Sequence, residues 1–351
     1  MASSIALPEP RRYDPAPDSP LAAAARRLAA MPAALQQGIL YELSERVTSL
    51  LLDGEEAAVR AALAAPGSRA AGEALLTAVG RAIAPPPADT GVQTRVFALP
   101  LLLVAGGRAG ARVPGVIADP GAIELVFAQA GALGHARNVG FSNALVARDA
   151  LEAVSLARLC RLARGEAGTA FEALDLPPAD VELPSAEESV HLRFIVGAML
   201  VPADAPGLAE TGSDIARWGM SLTRALAAQL AVDGVSLLPM ARPPAGLLEA
   251  ARVGRFTAQE LGVQLFLSKA LRDARLRSGD PEATVSAHAD GSVRVRLTSV
   301  FVERFDRSYC WPLAPLDDLA AISDSILGLL AECRLERVEV LDTVQAAPER
   351  G

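Results

Sequence analysis

The chain has 351 residues, of which 51% are hydrophobic, 21% charged and 4% aromatic, and its formal net charge is −8. That balance excludes a disordered chain, which is polar and highly charged, and a sequence-independent nucleic-acid binder, which needs clustered cations facing phosphates. The three cysteines, Cys160, Cys310 and Cys333, are too few and too scattered for a disulfide framework and suit a reducing, cytoplasmic compartment.

Residues 1–20 carry five prolines and read as a mobile tail. They lack the basic and apolar stretches of a signal peptide, and no apolar run in the chain approaches the roughly 20 residues of a membrane helix, so no membrane insertion is expected. Residues 21–84 read as a helical lobe. Leu35, Ile39, Leu43, Val47 and Leu50 recur at three- and four-residue steps, the spacing of one helix stripe. Gly54 breaks that helix, a second follows from Glu55 to Ala65, Pro66-Gly67 stops it, and a third runs from Ser68 to Ala84. Pro85-Pro86-Pro87 reads as a stiff hinge.

A first βαβα unit is expected over 93–165. Val96–Val104 is a continuous apolar run of strand length, which suits a strand covered on both faces. A helix is expected near Pro120–Leu133, with Pro120 in its first turn, then a strand near Val139–Val146 and a helix from Asp149 to Arg164. The stretch 166–189 has no periodicity and reads as a linker. A second βαβα unit is expected over 190–279: a strand at Leu192–Val201, a helix from Asp214 to Ala231 capped by Thr211 or Ser213, a strand at Val235–Met240, and helix in two pieces over 244–279. Thr257 and Glu260 have the spacing of a capping box, which predicts a helix start there.

The two units align by eye. Arg95-Val96-Phe97 matches Arg193-Phe194-Ile195. Ala147-Arg148 and Leu151-Glu152-Ala153 match Ala241-Arg242 and Leu248-Glu249-Ala250. An offset of roughly 100 residues exceeds solenoid periods and predicts an internal duplication. The C-terminal segment, 280–345, reads as ββαβ. Asp290-Gly291 between alternating runs predicts a hairpin whose two central residues take positive φ. Val293, Val295 and Leu297 then face one way and Arg294 and Arg296 the other. A helix from Leu316, begun by Asp317 and Asp318, and a strand near Arg337–Leu341 complete it.

Three stretches occur here in a particular order: Leu99-Pro100-Leu101-Leu102, then Leu238-Pro239 with its Leu/Glu/Ala helix, then Cys310-Trp311-Pro312-Leu313 with Leu330–Val340. Over most of residues 90–345 this order resembles an uncharacterised proteobacterial family defined only as a domain of unknown function. The resemblance implies a bacterial cytoplasmic protein and no catalytic role.

Motifs that would carry chemistry are incomplete. The loop Gly106-Gly107-Arg108-Ala109-Gly110 follows a strand but does not run into a helix, as a dinucleotide or phosphate loop would, so an anion site there is the lesser reading. Gly140-Phe141-Ser142-Asn143-Ala144 is one residue from a nucleophile elbow, yet lacks the strand-turn-helix context, and its base would have to be His191 or His288. His135, His191 and His288 are far apart and no Cys pair has zinc spacing, so no metal and no cofactor are expected. Cys310 would be a reactive thiol if a cation such as Arg307 stood beside it. Asp317-Asp318 and Glu187-Glu188 read as solvated charges. The scarce aromatics Trp218, Tyr309 and Trp311 are the candidates for lining a pocket or anchoring a partner.

The sequence therefore predicts an α+β (or α/β) fold with a helical lobe, two related βαβα units and a ββαβ segment. The function it favours is non-catalytic binding or assembly, with a protein partner or self-association as a homo-oligomer. The alternative is an enzyme or small-ligand sensor with a site between the two repeated units. A pocket marks the enzyme or sensor, and an exposed apolar patch above roughly 400 Å² marks the assembly protein.

Overall fold

The computed structural model describes residues 7, 19–84, 92–106, 112–130, 137–164, 174–183, 188–202, 215–230, 235–239, 246–276, 281–299, 305–314 and 316–346. The fold is α+β. It divides into two compact units: a central unit of Ala33–Arg60 and Leu76–Ala258, and a terminal unit of Met1–Pro32, Ala61–Leu75 and Gln259–Gly351.

The segment expected as one helical lobe forms α1 (Pro20–Ala29), α2 (Ala33–Leu52), α3 (Glu56–Ala64) and α4 (Arg69–Ile83), and these helices are divided between the two units instead of forming a lobe of their own. Ser19 begins α1, its hydroxyl accepting from the Ala22 N–H with Pro20 in the first turn. Gly54 ends the region of α2 at φ +83°, as its place after the stripe predicts. The stripe itself is displaced. Leu43, Val47 and Leu51 are buried on α2, whereas Leu35 is 60% exposed, so only the C-terminal turns of that helix meet a core.

Next come β1 (Val92–Gly106), β2 (Arg112–Val113), α5 (Pro120–Ala130), β3 (Arg137–Ala147), α6 (Arg148–Ala153) and α7 (Leu156–Ala163). The single helix expected over 149–164 is two. Val154 and Ser155 are extended, and the Ser155 hydroxyl accepts from Arg158 N–H to start α7 afresh. Then follow β4 (Val181–Glu182), β5 (Glu188–Pro202), α8 (Ile215–Leu230), β6 (Val235–Pro239) and α9 (Leu247–Leu276). The described part of the stretch expected as a linker is packed instead. β4 pairs with β2, and Leu174, Val181 and Leu183 are buried.

Helix α9 is one helix of 30 residues, not two pieces. Thr257 lies in its interior, so the capping box does not form. Glu260 accepts a hydrogen bond from Ser325 Oγ at 2.8 Å instead of closing on a helix start. The capping residues Thr211 and Ser213 lie outside the described residues.

In the central unit one sheet has the order β3-β5-β1-β6, and every pairing in it is antiparallel. Strands β1 and β3 therefore run in the same direction with β5 between them, and β5 and β6 run in the same direction with β1 between them. This is the interleaved β-α-β-β-α-β order of a ferredoxin-like, split β-α-β sheet. Helices α5 and α8 pack together on one face, where Phe97, Leu99, Leu101, Leu103, Ile195, Met199, Ile123, Phe127, Leu222 and Leu226 form the core. On the other face α7 lies against β1, and α9 meets Phe194 and Leu192 at Gly254. Two covered faces are what the continuous apolar runs of β1 and β5 require.

In the terminal unit the sheet consists of β7 (Glu282–His288), β8 (Ser292–Thr298), β9 (Asp306–Pro312) and β10 (Val338–Val340), in the order β10-β7-β8-β9 with β10 parallel to β7. Helix α10 (Leu319–Glu332) is begun by Asp318, whose carboxylate accepts from Ala320 and Ala321 N–H. The β7–β8 loop is three residues, Ala289-Asp290-Gly291, not a two-residue turn. Only Gly291 takes positive φ, at +75°, and its N–H bonds the His288 carbonyl. A tight turn plus one left-handed glycine is the three-residue hairpin solution. Alternation is as expected: Val285, Val293, Val295, Leu297 and Trp311 are buried on one face, while Arg296 and Cys310 are exposed on the other.

Candidate functional site

The central unit holds a partly open cavity of about 270 Å³. Its walls come from four segments. Helix α4 supplies Leu76, Thr77, Gly80 and Ile83, strand β1 supplies Val96, helix α7 supplies Leu159, and the first turn of α9 supplies Leu247, Leu248 and Glu249 behind Gly246. Thr77 and Glu249 are the only lining residues with polar side chains. The Glu249 carboxylate accepts from Arg252 Nε and Nη2 at 3.2 and 3.1 Å, an ion pair on one helix turn.

Gly80 shapes this cavity. It lies inside α4, where glycine costs up to about 1 kcal/mol against alanine. A Cβ placed there would meet nothing within 4 Å, so no neighbouring atom demands the glycine. What the missing side chain provides is space. An apolar cavity of about 150 Å³ already holds a benzene molecule, so this one admits a larger apolar body.

The residues singled out in the sequence fall elsewhere. Trp218 belongs to α8, and its side chain lies outside the described residues. Trp311 is fully buried on the core face of β9, opposite Val293. Tyr309 shares that face. Its hydroxyl donates to Gln259 Oε1 at 2.8 Å, and its ring lies 5.8 Å from that of Phe266. Burial, and secondarily the charge of Cys310, push the Tyr309 hydroxyl up to about 12. The structure thus brings Tyr309 and Trp311 together as packing in the terminal unit.

Ser142 sits in an irregularity of β3, where the register slips between Phe141 and Leu145. Its hydroxyl donates back to the Ala144 carbonyl at 3.4 Å, and the chain continues as strand, so there is no strand-turn-helix elbow. Cys310 is exposed, and its cross-strand neighbour is Arg294. Arg307, expected beside it from the sequence, projects from the opposite face of β9, with its guanidinium 5.9 Å from the Phe305 ring. His191 lies next to Ser189 Oγ at 3.0 Å, and burial, then the nearby Arg193, lower its pKa. His288 contacts Ser286 Oγ at 3.0 Å. Asp317 and Asp318 are not simply solvated: Asp317 is buried and accepts from the Ala314 N–H, and Asp318 caps α10. His135, Glu187 and residues 107–111 lie outside the described residues, and Glu188 is exposed.

Among the described residues no group of three His, Cys, Asp or Glu side chains could hold a metal ion, and no helix is long and apolar enough to cross a membrane. The cavity could not be found from spacing, because 76–83, 96, 159 and 246–249 meet only in the fold. Gly80 gave no local sign of it, since Gly38, Gly219 and Gly328 are also helix-interior glycines beside open space. No protein-family model matches the chain, and neither a curated protein nor a solved structure matches it.

Proposed function

We propose that this is a binding protein whose central unit takes a small, mostly apolar ligand in the cavity beside Gly80. The observation that carries the reading is the pairing of an apolar cavity with a helix-interior glycine that no packing contact requires. Burial of apolar surface drives such binding at about 25 cal/mol per Å². Glu249 at the edge of the cavity is paired with Arg252. A split sheet covered on both faces makes a rigid frame, and the cavity lies at its helical cover.

The test uses N-phenyl-1-naphthylamine, a neutral probe that brightens in apolar surroundings. The wild-type chain should bind it saturably, one molecule per chain. Gly80→Leu should fold, gain helix stability and lose that binding. Equal binding by Gly80→Leu, or no saturable binding by the wild type, would overturn the reading.

A further inference from the structure

The polar face of the terminal sheet holds an arrangement that the cavity does not use. Ser286, His288, Ser292, Arg294 and Cys310 project from this face, as their cross-strand pairing shows. His288 Nδ1 lies 3.2 Å from the Ala346 carbonyl oxygen, and Nε2 lies 3.0 Å from Ser286 Oγ. A carbonyl oxygen can only accept, so Nδ1 carries the proton. In the neutral imidazole Nε2 is then bare, and the Ser286 hydroxyl must donate to it. The chain of hydrogen bonds therefore runs from serine to imidazole to an orienting oxygen, the order by which a serine is activated. The carbonyl is itself fixed in place: the neighbouring Gln345 N–H bonds the Ala287 carbonyl and the Gln345 carbonyl accepts from Ala289 N–H.

Arg294 supplies the complementary group. It is the direct cross-strand partner of Ser286, so their Cβ atoms stand about 5 Å apart. Asp290 holds its Nη2 at 3.0 Å, while its Nε is buried and has no hydrogen-bond partner among the described residues. Nε itself is closed to a substrate, but the Arg294 side chain is 26% exposed, and its guanidinium charge stands on the same face as the Ser286 hydroxyl to stabilise negative charge developing on a substrate oxygen.

We propose that Ser286, His288 and Arg294 form an acyl-transfer site for an ester of a small acyl group. This goes beyond the binding reading and does not rest on it. In the reaction Ser286 Oγ adds to the ester carbonyl carbon while its proton passes to His288 Nε2. The carbonyl oxygen becomes an oxyanion, stabilised by the positive charge of the Arg294 guanidinium. The bond to the alkoxy group then breaks, the alkoxy oxygen takes the proton from Nε2, and the alcohol leaves an O-acyl Ser286. Water repeats the cycle and frees the carboxylic acid. Ser286 keeps only 7% of its surface open, which restricts the acyl group to a small one.

A fluorophosphonate, which phosphonylates activated serines with loss of fluoride, tests this on the full chain with peptide mass spectrometry. One adduct is expected, on Ser286, and Ser286→Ala should abolish it. His288→Gln should slow labelling by about 100-fold or more, the usual worth of a general base, and Arg294→Met should slow it as well, with circular dichroism confirming that each variant is folded. No adduct on the wild type, an adduct that survives Ser286→Ala, or unchanged labelling in His288→Gln would overturn the proposal.

Discussion

Phe97 lies over Gly197, its partner across the β1–β5 ladder, so closely that a Cβ on Gly197 would stand 2.3 Å from the Phe97 ring. On the other side of Gly197 the register places Phe141 of β3, whose ring meets that of Phe97 edge-on at 5.6 Å. Two aromatic rings thus fill the space above one glycine at the centre of the split sheet. Gly197→Ala should destabilise the chain by about 1–3 kcal/mol, the cost of overpacking a full core. Phe97→Leu in the same chain should recover part of that loss, since the two positions share one volume. Urea unfolding of the two single variants and the double variant measures the coupling.

Glu56 caps α7 from another helix. Its carboxylate accepts from the Ser155 hydroxyl at 2.6 Å and from the Leu156 and Ala157 N–H groups, and Arg60 adds a further bond at 2.7 Å. Burial alone would raise its pKa, but these hydrogen bonds outweigh it and hold the carboxyl below 4.5. Because the folded value is the lower one, this contribution to stability is present above the unfolded value and disappears as pH falls through the folded one. Glu56→Ala should cost about 1–2 kcal/mol at neutral pH, as loss of a cap does. The difference from wild type should shrink as acid is added, which denaturant unfolding at pH 7 and at successively lower pH checks.

Tyr309 should titrate late. With its hydroxyl raised to about 12 from 10.0, its contribution to stability is complete below 10 and is lost as pH rises toward 12. Absorbance of phenolate in the folded chain should show one tyrosine ionising at about pH 12. Tyr309→Phe should remove that late step and flatten the stability profile across the same window.

Thr257 separates a helix interior from a helix start. If it capped a second helix, Thr257→Ala would cost about 1 kcal/mol. Inside the continuous α9 the same change should be neutral or stabilising by about 0.5 kcal/mol, because alanine is the better helix former. Thermal unfolding of the variant decides between them.

These residues also show what the sequence made legible. The strands β1 and β5 could be read because both faces of the sheet are covered, so each position along them is apolar. The Gly54 and Pro66-Gly67 stops could be read because they act on their own neighbours. The break before α7 could not, since half of its cap is Glu56, which lies 99 residues from Ser155 in the chain. The capping box at Thr257 misled for the converse reason: its Glu260 bonds Ser325, 65 residues away, and no local signal shows that. The cavity escaped notice because each wall is an ordinary apolar residue of its own element. Ser286 and His288 were visible as alternate residues of a strand, but their link to Ala346 depends on the returning C-terminal segment.

Gly80→Ala should raise stability by up to about 1 kcal/mol in urea unfolding, since the added methyl meets open space and improves the helix.

Methyl-resolved nuclear magnetic resonance with naphthalene as the probe tests the binding claim most directly. Saturable shifts are expected of the methyl groups of Leu76, Ile83, Val96, Leu159 and Leu247, with Leu125 of α5 and Val285 of β7 unmoved. Shifts centred on α5 or on the terminal sheet, or none at saturating probe, would contradict it.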